Sequence, residues 1–332
     1  MTGTMTISRR KLLVTASLTP VMLALPRSAF AAYPDRAIHL VVPFAAGGNA
    51  DVVGRVVAEE IHKALKQPVV VDNRGGAGGS IGAEVVAKAE PDGYTLLVAS
   101  NGPMTVNPFV QAKLGYDPLK DFAAIALTSY VPHCLALNPG VPAKTVAELV
   151  AMSKEKPVNI ATSGVGSATH LTLERFNAAT GAKFAHVPYR SGGQLLPDLL
   201  AGVVQGAMTE FSIALPQHKG GKVRIVGVAS AQRSKLAPDI PTFIEGGVKD
   251  FTAFSYIGIV APAKTPPAII AQLSKAVADG LSGQSEAADK LRQMGSDIAT
   301  PQEMTPDGFS AYLKAEFARS AAAAKLAGLT PK

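Results

Sequence analysis

Two glycine-bearing stretches are built to do chemistry on an anion. Residues 43–51 read Pro-Phe-Ala-Ala-Gly-Gly-Asn-Ala-Asp, with Phe44 and Ala46 ahead of the pair Gly47-Gly48 and Asp51 behind it. Two glycines let the main chain close on a ligand with no side chain between, and a helix starting just behind them offers unpaired N–H groups to a negative charge. The plainer reading is a tight turn followed by a helix that Asn49 or Asp51 caps, and the two are compatible. Residues 161–170, which include Ser163, Gly166, Ser167, Ala168, Thr169 and His170, have the same form. A carboxylate on such a helix start gains ~0.3–1 kcal/mol from the dipole and ~1.5–3 kcal/mol per charge-assisted hydrogen bond. Gly164 and Gly166 lack the third glycine of a dinucleotide loop, and no acid follows where one would hold a ribose, so nucleotides are disfavoured. His170 stands in the first helical turn, where it serves either as a structural hydrogen-bonding group or as a contact to ligand.

Other reactive patterns fail on geometry. Gly78-Gly79-Ser80-Ile81-Gly82 has the G-x-S-x-G spacing of serine hydrolases. A nucleophile elbow needs a sharp strand-to-helix turn, whereas residues 72–79 form a long glycine-rich connection, and a triad also needs a histidine beside Ser80. Glu59-Glu60 lies on a helix as a solvated pair, and zinc-type Cys/His spacings are absent. The single cysteine, Cys134, excludes an internal disulfide, and its apolar surroundings predict a buried, inert thiol.

The elements that position these loops alternate. Strands are predicted over 38–44, 69–71 and 94–99, and helices over 51–66 and 81–89, the first with Val53, Val56, Val57, Ile61, Ala64 and Leu65 on one stripe. A second series opens on Thr145-Val146-Ala147-Glu148, a capping box, and continues through strands near 159–162, 184–187 and 223–228. Such alternation predicts α/β architecture, with parallel sheets under helices, in two doubly wound lobes around a cleft. The strand-like stretches 125–137 and 254–261 are the natural crossings. The expected layout is a first lobe over 32–132, a second over 133–252, and a return to the first over 253–332. Ligands of open parallel sheets sit beyond the carboxyl ends of the strands, where the glycine loops fall.

The first 31 residues read as a cleaved export signal: Ser8-Arg9-Arg10-Lys11, an apolar run over 12–25 and the small-residue site Ala29-Phe30-Ala31. Thr15, Ser17, Thr19 and Pro20 interrupt the run, leaving it short of the roughly 20 apolar residues that spanning requires. The arginine pair favours the twin-arginine route, although Leu12 stands where an aromatic is commoner, and no nearby cysteine could carry a lipid anchor. The mature protein is expected free in the periplasm. Arg9, Arg10, Lys11 and Arg27 supply four of the seven net positive charges, and the remaining +3 is not clustered as phosphate binding needs, so nucleic acid is excluded as a partner. A 47% hydrophobic chain of 332 residues fills two modest domains.

Several motifs occur in one order: Tyr33-Pro34-Asp35-Arg36; Val42-Pro43-Phe44 with Gly47-Gly48 and Asp51; Asp72-Asn73-Arg74-Gly75; Pro91-Asp92-Gly93-Tyr94; Tyr116-Asp117-Pro118 with Asp121-Phe122; His186-Val187-Pro188-Tyr189. Along essentially the whole mature sequence the chain resembles the substrate-binding proteins of tripartite tricarboxylate transporters, the Bug family. The resemblance implies a type II periplasmic-binding-protein fold that works as a monomer, with no cofactor, metal or catalytic activity. Its implied partners are a small carboxylate and a membrane permease of one large and one small subunit. One carboxylate is then held by Phe44, Ala46, Gly47, Gly48 and Asp51 and by residues 166–170, while Ser100, Asn101, Tyr189, Arg190, Ser191 and the loop carrying Glu210 complete the cleft. Arg190 stands where the family has lysine and Glu210 where it has aspartate; an acid there resembles members whose ligands carry an amino or amide group. Two other readings are a sensor accessory that presents its ligand to a membrane receptor and, less favoured, an exported serine hydrolase.

Overall fold

The computed structural model describes residues 1–4 and 33–331; residues 5–32, which hold most of the expected export signal and its expected cleavage site, lie outside the described residues. From Pro34 on, the chain begins as the alternation predicts. Strand β1 (Ile38–Val42) leads to helix α1 (Asn49–Leu65), then β2 (Val69–Asn73), α2 (Ser80–Ala87) and β3 (Thr95–Ser100). The long β4 (Phe122–Leu137) follows, then α3 (Val146–Glu155), β5 (Val158–Thr162), α4 (Ala168–Thr180), β6 (Phe184–Pro188), α5 (Gly192–Ala201), β7 (Gly206–Glu210), α6 (Phe211–Lys219) and β8 (Arg224–Val228). The chain returns through β9 (Phe254–Pro262) and ends in α7 (Pro267–Gly280), α8 (Glu286–Gln293), the short β10 (Asp297–Ile298) and α9 (Pro306–Leu326). Among the described residues no helix is long and apolar enough to cross a membrane.

Local chemistry accounts for the boundaries. The capping box opens α3: Thr145 Oγ1 accepts the Glu148 N–H at 3.2 Å, while Glu148 reaches back to the Lys144 N–H at 2.6 Å, one residue earlier than the usual partner. Helix α1 is capped by neither Asn49 nor Asp51. Its N-cap is Gly48, which has no side chain to offer.

The strands form two sheets that share β4. Parallel pairing holds for β1 with β2 and β3, and for β5 with β6 and β7. At the junction of the sheets, along the two expected crossing strands, the pairing is antiparallel: β9 runs antiparallel to β3 and β4, and β4 antiparallel to β7 and β8. β4 and β9 are traversed in opposite senses between the sheets, with no helical crossover to bring the second back in line. Along β4, residues Phe122 to Pro132 pair with β9, and His133 to Leu137 pair with β7. Pro132, with no N–H to give a ladder, marks the exchange.

The acid-bearing segment Thr209-Glu210-Phe211 is also corrected. Thr209 and Glu210 end the buried strand β7, and Phe211 opens α6. Gly206-Ala207-Met208 carries no β-branched or aromatic residue, so its strand propensity is weak and burial decides its state.

The second sheet packs α3 and α4 on one face around Phe176, Phe184, Phe243 and Phe251, and α5 and α6 on the other. Phe176 is fully buried, with ring centroids at 5.1 Å from Phe243 and 5.7 Å from both Phe184 and Phe251. Phe176→Ala is expected to cost about 3–5 kcal/mol, from lost burial plus an unfilled cavity, read as a lowered midpoint in urea unfolding; a change below about 1 kcal/mol would show that this face of the sheet repacks freely.

Candidate functional site

The first loop is held open by a wired carboxylate. Gly47 takes a left-handed φ of +83°, and its N–H donates to Asp51 Oδ2 at 3.0 Å. Arg55 donates to the same carboxylate through Nε at 3.1 Å and lies 2.9 Å from its other oxygen. Asn73 Nδ2 donates to Asp51 Oδ1 at 2.9 Å and to the Phe44 carbonyl at 3.1 Å. Burial alone would raise the Asp51 carboxyl, but hydrogen bonds from Arg55, the Gly47 N–H and Asn73, with the Arg55 charge, outweigh it and hold the group below the ordinary carboxylate range.

The second loop is organised by hydroxyls. Ser167 caps α4 by accepting the His170 N–H at 3.2 Å, Thr169 Oγ1 accepts the Ser163 N–H at 3.0 Å, and His170 Nδ1 accepts the Gly166 N–H at 3.3 Å. A third helix start, that of α5, is capped by Ser191, which accepts the Gln194 N–H at 3.2 Å.

The three helix starts converge on one cavity. It is lined by Gly48, Asn49 and Ala50 of α1, Ser167 and Ala168 at α4, and Ser191 and Gly192 at α5, together with Phe44, Ser100, Asn101, Gly102, Ser163, Glu210, Ser255 and Ile257. Among the described residues no lysine or arginine is in this lining. Positive potential comes from the N-terminal N–H groups, which have no partners within their own helices. Two lining hydroxyls, Ser100 Oγ and Ser163 Oγ, are buried without a hydrogen-bond partner, so the cavity holds donors that only an occupant can satisfy. Glu210, 8% exposed, accepts long hydroxyl bonds from Thr209 at 3.3 Å and from Ser255 at 3.4 Å. Burial pushes its carboxyl above the ordinary range, against the lowering effect of its own backbone N–H and of those two hydroxyls.

The cavity encloses about 30 Å³, room for two or three waters at ~10–15 Å³ each. The lobes meet around it by main chain and by side chain. The Ala45 N–H donates to the Arg190 carbonyl at 3.4 Å, and Ser212 Oγ donates to Asn49 Oδ1 at 3.0 Å. A methyl group on Gly193 would lie 2.6 Å from the Gly47 carbonyl carbon, and one on Gly78 would lie 2.5 Å from the Val165 carbonyl oxygen.

The sequence of this chain matches the family profile described as "Tripartite tricarboxylate transporter family receptor" over residues 53–322. It is 35% identical over 299 residues to Protein BugT of Bordetella pertussis, covering 89% of this chain and 90% of that one. The chain belongs to the tripartite tricarboxylate transporter receptor family. Among solved structures, R. palustris Rpa4515 with adipate superposes at a TM-score of 0.86 with 32% identity, over 90% of this chain and all of that one. The periplasmic binding protein BugD gives the same score and identity over the same shares. MatC (Rpa3494) of Rhodopseudomonas palustris, with bound malate, gives 0.83 with 32% identity over 88% of this chain and 99% of that one. The two-lobed periplasmic-binding-protein fold is thereby shown.

Of the receptor residues singled out from sequence, Phe44, Gly48, Ser100, Asn101, Ser163, Ser167, Ala168 and Glu210 line the cavity. Ala46, Gly47, Asp51, Gly166, Thr169 and His170 do not, and the bonds of Asp51, Thr169 and His170 hold the loops from behind. Tyr189 and Arg190 border a neighbouring groove; the Tyr189 hydroxyl donates to Asp198 at 2.6 Å, and Arg190, which stands where the family has lysine, is exposed. Ser255 and Ile257 escaped sequence reading, although period-two alternation along the second crossing strand could have flagged them. Asn49, Ala50, Gly102 and Gly192 carry little signal of their own.

His170, Glu174 and His186 are close enough to suggest a metal. The imidazoles are stacked, however, with centroids at 4.2 Å and planes 23° apart. Planes so nearly parallel do not meet at the ~2.0–2.1 Å that zinc requires of each nitrogen, and His186 Nε2 already meets Thr162 Oγ1 at 2.7 Å. Ser80 Oγ donates to Gln111 Oε1 at 3.0 Å and accepts from Asn107 Nδ2 at 2.7 Å, and neither amide can serve as a base.

Asp51→Ala is expected to cost about 2 kcal/mol at pH 7 by removing three charge-assisted bonds. A carboxyl held below its unfolded value stabilises the fold above that value, so the difference from wild type should shrink as pH falls through the acid range. Urea unfolding at pH 7 and at pH 3.5 measures both, and a pH-independent difference would show that the carboxylate's charge is not what holds the loop.

Proposed function

We propose that this protein is an exported solute receptor that captures a small carboxylate outside the cytoplasmic membrane and delivers it to a membrane permease of one large and one small subunit, performing no reaction on it. The observation that carries the reading is the convergence of three helix N-termini and two unpartnered hydroxyls on one buried cavity without a cation. A carboxylate is the anion that such neutral, directional donors suit, because each N–H is oriented and desolvated in advance. The dicarboxylates in two relatives, adipate and malate, support it. Solute is admitted when the lobes part, since the shut cavity is smaller than a dicarboxylate. The crossing of β4 at Pro132 and the entry of β9 at Phe254 support lobes over 32–132 and 133–252 with a return over 253–332.

Glu210 narrows the occupant. A buried carboxylate without a cation is costly unless its partner arrives with the ligand, so the solute carries, away from its carboxylate, an ammonium or amide that donates to Glu210. Calorimetry and thermal shift with L-aspartate, L-glutamate, L-glutamine, malate and adipate test this. The amino- or amide-bearing compounds should bind at least tenfold tighter than adipate, about 1.4 kcal/mol, and Glu210→Gln should erase the preference. Adipate binding best, with no effect of Glu210→Gln, would overturn the role of Glu210 while leaving the receptor reading; no stabilisation by any carboxylate, on protein shown ligand-free by mass spectrometry, would overturn the receptor reading itself.

For the ligand-free protein, a carboxyl raised above its unfolded value leaves stability intact below that value and removes it as pH rises through the folded value. Glu210→Gln should therefore melt higher than wild type at pH 8 and level with it near pH 4. A lower melting temperature at pH 8 would show that the ionised carboxylate is already compensated.

A further inference from the structure

A second, larger cavity of about 590 Å³ lies beside the first and shares Asn101 and Ala168 with it. Its walls come from α4, α9, β4 and residues 252–254, and they include His133 and Thr172. His133 is the residue at which β4 passes from one sheet to the other, and it is absent from the lining of the ligand cavity. Both of its ring nitrogens are engaged: Nδ1 meets Thr172 Oγ1 at 2.8 Å, and Nε2 meets Ser255 Oγ at 2.8 Å. Ser255 Oγ in turn reaches Glu210 Oε1 at 3.4 Å, the longest step of the series. A buried line of four side chains thus joins the second cavity to the acid of the first.

We propose that His133 is a positioning residue that sets the proton state of Glu210, and with it whether the receptor presents a hydrogen-bond acceptor or a donor to its ligand. The line has two self-consistent arrangements. With Glu210 ionised, Thr172 O–H donates to His133 Nδ1, His133 Nε2–H donates to Ser255, and Ser255 O–H donates to Glu210. With Glu210 protonated, every bond reverses: Glu210 donates to Ser255, Ser255 to Nε2, and Nδ1–H to Thr172, whose own proton turns to the second cavity. The arrangements differ by one proton, which enters from solvent at Thr172 and appears on Glu210 after each member has passed its own proton along. The imidazole is neutral in both, exchanging one tautomer for the other.

The surroundings favour this over simple charging of the histidine. Burial, reinforced by the charge of Arg175 on α4, brings the His133 pKa down to about 3. The neighbouring titratable group on β4, Cys134, is driven upward by burial and by the Glu210 charge and stays a thiol. Among the described residues no lysine or arginine lines the ligand cavity to fix Glu210 as an anion, so the hydroxyls of Thr209 and Ser255 are the side-chain controls on it, and Ser255 is the one whose direction depends on His133. The functional meaning of the coupling rests on Glu210 facing ligand, whereas the coupling itself can be tested with no ligand present.

Imidazole nitrogen shifts of the ligand-free receptor, labelled with 15N-histidine, report the tautomer of His133 directly, with the resonance assigned by its loss in His133→Gln. The Nε2–H form is expected at high pH, exchanging fully for the Nδ1–H form over the range in which the infrared carbonyl band of protonated Glu210, assigned by Glu210→Gln, appears. Ser255→Ala cuts the line and should abolish the exchange and shift the midpoint at which the Glu210 band appears; an unmoved midpoint in that variant overturns the proposal. If the band rises and the His133 shifts stay flat, or if His133 becomes an imidazolium at that midpoint, the proposal is overturned. If the band never appears above pH 4, wild-type His133 must be Nε2–H throughout, and finding Nδ1–H overturns it equally.

Discussion

The structure hangs on one strand that belongs to two sheets. β4 carries 16 residues, about 50 Å at ~3.3 Å per residue, enough to serve a ladder in each lobe without a break in the chain. Backbone hydrogen bonds of the first sheet run through it as far as Pro132, and those of the second begin at His133. Both lobes are therefore registered to the same main chain, and the strand ends bearing the glycine loops face each other across the cavity. A loop connection between lobes would fix neither the distance nor the direction of those ends.

The electrostatics of the cavity follow from the same arrangement. Positive potential comes from fixed peptide dipoles at the starts of α1, α4 and α5, which cannot swing away as a lysine could and require no counter-ion in the empty state. Asp51, by contrast, spends its charge within the protein, where Arg55, Asn73 and the Gly47 N–H hold the first loop in a left-handed conformation. One acid is structural because it is saturated with donors. The other, Glu210, meets two hydroxyls at long distance and keeps most of its hydrogen-bonding capacity.

Much of this was legible in the residues. The valine stripe of α1, the Thr145–Glu148 box and the two glycine loops are local patterns, and local patterns survive folding because their causes lie within a few residues. The strand β7 was not legible: Gly-Ala-Met-Thr-Glu has weak strand propensity, and pairing with β4 and β5 makes it one. For the same reason Glu210 read as a loop acid. Ser255 and Ile257 required knowing which face of β9 turns to the cavity, and His133 required seeing that Thr172 and Ser255, 39 residues later and 122 residues later, meet its two nitrogens. Arg190, conspicuous in the sequence for its charge, is exposed in this closed arrangement, and its carbonyl bridges the lobes.

The lobes touch at Gly47 with Gly193 and at Gly78 with Val165, main chain on main chain, with the Ser212–Asn49 bond as a side-chain contact beside them. The main-chain part of this seam is blind to the identity of what it encloses. Side chains of the pocket can be exchanged over evolutionary time to admit a different solute, and the shut outline of the molecule stays as it was. Retuning of cargo is thereby separated from the shape by which the loaded state is recognised, so one membrane apparatus can be served by receptors of diverging taste.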